Sequence, residues 1–411
     1  MKNLLLIIII FSINIFPGCG SKNNNNVVEL EFSYYQVERD FAVIQREFNK
    51  HYPNIHFVNK NVPNDLDASR ARFEAGDAPD IIQLQSYSKV FEFASKNWLT
   101  DISNENFLDN IEKSSLNAVT YKGKVYAVPT ETAGIGLLYN KKIFSKLGIK
   151  PPSTFSELKT VCTILKSNGI TPFSIMLKDA WHMGHFFTMI HTSLIGSNLN
   201  SWLDSMNSGK GTFTGSVDDD RLFMVLDFYK ANAGSAAGNT TYSDQINNFA
   251  GEKYGMMVQG LWAYGAALEK NPDLDAGFIP FPCSDNPDEN RIYADTDASF
   301  AIPVTGNAEK TAAAKLFLEF ITSKKCGEIY VNDYRLVTTV KGVDTSKMPL
   351  PYRELSGYVS AGKSNPWAFA MYPVDVFDIG TKLGTQEYMF AQRSRANLYA
   401  YLDDLWRNSL K

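Results

Sequence analysis

Short apolar stretches alternate with amphipathic helical stretches along most of this chain, and that order restricts it to an α/β architecture. Val27 to Gln36, rich in Val, Leu, Phe and Tyr, reads as an opening strand. Phe41, Ile44 and Phe48 then recur at helical spacing, and the helix stops at His51-Tyr52-Pro53. Ile55 to Val62 is a second strand and Leu66 to Glu74 a second helix. Pro79-Asp80 leads into Ile81 to Leu84, a nearly continuous apolar run suited to a parallel strand covered on both faces. In such a fold ligands sit beyond the carboxyl ends of the strands.

The pattern repeats after Val125. Val125 to Pro129 is extended, Gly134 and Gly136 loosen the backbone, and Leu137 to Lys142 resumes a strand. Thr154 and Glu157 have capping-box spacing for a helix whose stripe is Leu158, Val161 and Leu165, closed by Asn168-Gly169. Tyr254 to Gln259, Gly277 to Pro282 and Ser299 to Val304 are extended. Glu309 to Thr322 and Asn397 to Trp406 are helical. Asp218-Asp219-Asp220 lacks the alternating oxygens of a calcium loop and suits a helix N-terminus.

The first eighteen residues carry Lys2 and then an apolar run from Leu4, too short to span a bilayer. They are expected to be a cleaved signal peptide. Phe16-Pro17-Gly18-Cys19 resembles a bacterial lipobox, which makes Cys19 the acylated first residue of the mature chain; Phe16 and Pro17 depart from the common pattern. The polar, Asn-rich 19–26 segment serves as a tether. No later segment offers eighteen uninterrupted apolar residues, and a net charge of −4 without a basic cluster gives no reason to expect nucleic acid. Cys162, Cys283 and Cys326 have neither metal-like nor redox-like spacing and read as buried apolar residues.

Five ordered pieces resemble the family 1 extracellular solute-binding proteins, the carbohydrate-binding components of ABC importers. They are Ala78-Pro79-Asp80-Ile81-Ile82; Tyr126-Ala127-Val128-Pro129; and Leu138-Tyr139-Asn140-Lys141 with Pro151-Pro152-Ser153-Thr154-Phe155. Then come Phe249-Ala250-Gly251 with Gly260-Leu261-Trp262, and Ala301-Ile302-Pro303 before a helix ending at Thr322. The match runs from about Val27 to Thr322 and more weakly to the end. It implies a two-lobe periplasmic-binding-protein-like fold (class II type) whose chain crosses a hinge three times. Those crossings fall near Thr130 to Gly136, near Asp285 to Thr296, and just past Thr322. One lobe then holds 27–131 and 297–322, the other 132–296 and 323–411.

A sugar presents apolar C–H faces and a rim of hydroxyls, so its site needs flat aromatic platforms and polar groups in fixed positions. Trp262, after Gly260 at a strand end, stands where the resembling family places a sugar-stacking tryptophan. Trp367 and Trp181, in Asn365-Pro366-Trp367 and Asp179-Ala180-Trp181, are further platforms. Tyr35 with Gln36 and Gln85 with Ser86 end two strands of the first lobe. Glu131 and Asp297 lie near the first two crossings, where a carboxylate can accept sugar hydroxyls. His182, His185 and His191 read as core or pocket lining, since no acidic partner is close. No metal and no cofactor are expected, and the protein is expected to act as a monomer.

Three functions compete. One is an importer's binding protein for an oligosaccharide of two to four rings; resemblance to the raffinose and multiple-sugar branch points first to an α-galactoside or α-glucoside. A second is a secreted glycoside-active enzyme using Glu131 and Asp297 as acid and base. The third keeps the fold but binds a non-sugar solute.

Overall fold

A computed structural model describes residues 27–36, 39–62 and 66–411. The expected leader, the acylation site Cys19 and the tether lie outside the described residues. Two mixed sheets organise the chain. The first runs in the order Ile55–Asn61, Val28–Tyr34, Ile81–Gln85, Ala298–Ala301, Ala127–Pro129. Its first three strands are parallel and joined through helices, as the alternation requires, whereas Ala298–Ala301 pairs antiparallel with both neighbours. The expectation of an apolar strand covered on both faces holds at Ile81–Gln85, where the first four residues are buried.

The second sheet is assembled on one long strand, Glu131–Asn140. Ile292–Thr296 and Ala276–Ile279 lie along one edge of it, Val337–Thr338 and Tyr254–Gly260 along the other. Gly134 and Gly136, expected to loosen the backbone, are instead inside this strand. A Cβ on Gly134 would stand 2.5 Å from the Leu355 side chain, and one on Gly136 would stand 2.7 Å from the Ile279 carbonyl oxygen. Glycine is required there by close approach, not by flexibility.

The chain passes between sheets at Thr130, which separates Ala127–Pro129 from Glu131–Asn140, and again at Asp297. The helix Lys324–Asn332 follows the crossing expected just past Thr322. Its Cys326, Ile329 and Tyr330 join the core formed by Leu30, Phe32, Ile81, Phe300 and the Phe317 face of the helix Ala308–Ile321. Val337–Thr338 then meets Glu131 and Thr132, and Thr339 to Lys341 runs beside Asn110 to Glu112. Val331 of the helix Lys324–Asn332, with Val337, Met348, Tyr352 and Leu355, belongs to the second sheet's core. The 324–341 stretch therefore contributes to both cores.

Local signals place several supports. Thr154 and Glu157 form the capping box of the helix Phe155–Ser167, and Asp218 caps Asp219–Ala231 by accepting from the Arg221 amide. Asp80 accepts from the Glu31 amide and from Lys310 Nζ, both at 2.8 Å, tying the first strand to the helix Ala308–Ile321. The three cysteines are free and buried. Among the described residues no helix is long and apolar enough to cross a membrane.

Candidate functional site

A cleft of about 250 Å³ opens at the passages between the two sheets. The first-sheet side contributes Tyr35, Gln36, Arg39 and Gln85; the passages contribute Glu131 and Asp297. The opposite wall is aromatic: Trp181, His185, Trp262 and Trp367. Ser86 is the exception among the expected contacts. Its Oγ lies 2.6 Å from the Ser299 Oγ and the residue is 1% exposed, so it braces two adjacent strands and does not reach the cleft. Strand alternation explains the difference, because successive side chains face opposite ways.

Trp262 is the second residue of the helix Leu261–Lys270, which Gly260 precedes, and its indole is half-buried beside the cleft. The six-membered ring lies against Gly260, where a Cβ would come within 2.2 Å of Trp262 Cη2. Gly260 has φ −75°, open to any residue, so its requirement is space alone. Gly260→Ala is expected to displace the indole and weaken ligand binding by about tenfold or more, while apo stability falls by only about 1–3 kcal/mol. Titration calorimetry beside denaturant unfolding separates the two effects.

Trp367 stands edge-to-face with Trp262, their centroids 6.3 Å apart. It is 2% exposed, and its Nε1 donates to the Tyr293 carbonyl at 3.1 Å. It therefore supports Trp262 and presents little free face, in contrast to the open platform expected. Its backbone amide donates to Asp295 Oδ2 at 3.1 Å, and Tyr87 donates to the same oxygen at 2.8 Å. Burial pushes the Asp295 carboxyl up despite these donors. Trp181 starts the helix Trp181–Ile195 and meets Tyr242 at 5.5 Å.

Glu131 is 2% exposed and already engaged. Arg39 reaches both of its oxygens, the Nη2–Oε1 contact at 3.0 Å, and Gln36 Nε2 donates to Oε1 at 3.2 Å. The guanidinium is in turn stacked among Phe41, Tyr330 and Tyr334, each centroid within 5.4–5.7 Å. Gln83 fixes the same corner by accepting from the Tyr35 and Gln36 amides. Sequence reasoning missed Arg39, which stands in a short gap between strand and helix with no pattern to mark it. The Asp297 carbonyl accepts from the Ser86 amide, and its own amide donates to the Glu131 carbonyl at 3.3 Å.

The three histidines of the helix Trp181–Ile195 part ways. His182 Nε2 pairs with the Tyr229 hydroxyl at 3.2 Å and His191 Nε2 with Ser216 Oγ at 2.9 Å. Burial pushes both imidazoles down to about 3 from an ordinary 6.5. Depressed values mean that the unfolded chain takes up protons first. Stability is then complete above about pH 6.5 and is lost as pH falls towards 3. Each histidine is expected to cost about 2 kcal/mol between pH 7.5 and 5. The raised carboxyl of Asp295 acts in the opposite direction. Unfolding midpoints at the two pH values should converge in a His182→Gln, His191→Gln double variant; an undiminished gap would contradict this origin. Among the described residues no cluster of His, Cys, Asp and Glu has metal-holding geometry.

The sequence model described as "Bacterial extracellular solute-binding protein" matches residues 36–326. The chain belongs to this family. The solute-binding protein is 24% identical over 355 residues to the multiple sugar-binding protein of Streptococcus mutans, covering 85% of this chain and 83% of that one. It is 24% identical over 381 residues to the melibiose/raffinose/stachyose-binding protein MelE of Bacillus subtilis, covering 83% and 86%. Its fold matches apo RafE from Streptococcus pneumoniae with a TM-score of 0.79 at 22% identity, over 94% of this chain and 99% of that one. A chitin oligosaccharide binding protein matches at 0.80 with 20% identity, over 94% and 99%. This is the two-lobe α/β fold implied by the five ordered motifs.

Proposed function

We propose that this solute-binding protein captures an oligosaccharide between its lobes and delivers it to the membrane subunits of an ABC importer. The observation that carries the reading is the cleft's make-up: indoles on one wall, hydrogen-bonding side chains on the other, at the passages where the lobes join. Trp262 supplies an apolar face for a sugar ring, and Gln36, Gln85 and Asp297 supply polar groups for its hydroxyls. Ligand favours closure because only the closed arrangement brings both walls onto it. The multiple-sugar-binding and melibiose/raffinose/stachyose-binding relatives support an α-galactoside or α-glucoside of two to four rings as the first ligand to test. Acylation of Cys19 would hold the protein on the outer face of the membrane, where it acts as a monomer.

The acid–base reading of Glu131 and Asp297 is the weaker one. Arg39 holds both oxygens of Glu131, which suits a fixed structural anion and not a proton donor. Calorimetry against raffinose, melibiose, maltotriose, xylo-oligosaccharides and chitin oligosaccharides tests the function. Saturable binding of at least one sugar is expected. Absence of heat across the whole panel would overturn the proposal.

A further inference from the structure

One polar side chain in the cleft wall is left over by everything above. His185 lies one turn along from Trp181 in the helix Trp181–Ile195, among aromatic rings. Phe369 meets it edge-on with centroids 4.5 Å apart; Phe377 is at 5.3 Å, Trp181 at 5.7 Å and Trp367 at 6.5 Å. Its neighbours in the same helix, His182 and His191, each have hydroxyl partners in the core. His185 differs. Its Nδ1 is buried without a hydrogen-bond partner among the described residues, although the side chain lines the cleft. A buried N–H without an acceptor costs free energy, which disfavours the tautomer that carries the proton on Nδ1.

Resting on the sugar-binding reading above, we propose that His185 is a specificity-determining ligand contact that donates its Nε2–H to an oxygen of the sugar bound against the aromatic wall of the cleft. Three features support the assignment. Nδ1 is walled in by rings with no acceptor beside it, so the proton belongs on Nε2, the nitrogen left to face the cleft. Burial first, and the positive charge of Lys382 second, hold the imidazole well below its ordinary value, so it is neutral and carries a single N–H. The packed rings fix the imidazole's orientation, which gives the donor one direction and so makes it selective among epimers and linkages. A site that hydrogen-bonds a hydroxyl rejects analogues lacking it far more strongly than an apolar pocket rejects a methylene.

The test compares wild type with His185→Phe and His185→Gln, using raffinose as probe, or the tightest sugar of the panel if raffinose does not bind. Phenylalanine keeps the ring packing and removes both nitrogens; glutamine keeps a donor. Affinity is expected to fall at least tenfold in His185→Phe and to recover partly in His185→Gln, with the apo unfolding midpoint of His185→Phe unchanged or raised. The ¹⁵N resonance of His185 Nε2 in the wild type is expected to shift when the sugar is added. That measurement decides the matter even where a variant folds poorly. Equal affinities in wild type and His185→Phe, or a ring resonance indifferent to sugar, would overturn the proposal while leaving sugar binding intact. Loss of all binding in the wild type would instead remove the functional reading itself.

Discussion

Trp262→Ala is expected to weaken oligosaccharide binding by roughly 30- to 1000-fold, equivalent to about 2–4 kcal/mol, with far less effect on folding. The indole is half-buried on the cleft wall, so its open face is what a sugar ring would cover. Truncation removes that face and leaves Gly260 beside a cavity open to water. Trp367→Ala makes the instructive contrast. That ring is 2% exposed and hydrogen-bonded to the Tyr293 carbonyl, so its loss is expected to cost about 3–5 kcal/mol of stability before any ligand is added. Calorimetry and denaturant unfolding on both variants should therefore separate a binding platform from its support. Equal affinity in Trp262→Ala and wild type would place the ligand elsewhere.

The second large effect concerns Glu131. In Glu131→Ala the Arg39 guanidinium stays buried with its anion gone, and stability is expected to fall by about 3–5 kcal/mol. The same substitution removes the acceptor that fixes Gln36, a residue of the cleft. Ligand affinity should fall with stability. A paired Arg39→Met, Glu131→Leu variant removes both charges and is expected to regain most of the lost stability, because the desolvation cost disappears with the attraction. With the single variants Arg39→Met and Glu131→Leu, the wild type and the paired variant form a double-mutant cycle. A coupling near zero would contradict the view that this pair fixes the junction between the lobes.

How much of this was legible beforehand depends on how local each cause is. The capping box at Thr154 and Glu157, the helix start at Asp218 and the buried run at Ile81–Gln85 follow from spacings within a few residues, and the structure repeats them. Tyr35, Gln36, Gln85, Glu131, Trp181, Trp262, Asp297 and Trp367 all line one cleft, and several of them stand at strand ends, which converge there in an α/β fold. Causes set by distant partners stayed hidden. Gly134 and Gly136 looked like loosened backbone, since Leu355 and the Ile279 carbonyl that demand them are remote in sequence. The helix Lys324–Asn332 divides its buried residues between two cores, Cys326, Ile329 and Tyr330 in one and Val331 in the other, through partners distant in sequence. Ser86 differed from Gln85 only by which way its side chain faced. Arg39 gained its meaning from Glu131, ninety-two positions away.

A crystal structure of the protein with the tightest-binding sugar of the panel tests the central claim most directly. The account predicts a sugar ring lying flat on Trp262, with hydroxyls bonded to residues from both lobes and the lobes closed on it. Sugar density on an outer surface, or in contact with one lobe alone while Trp262 remains bare, would contradict it.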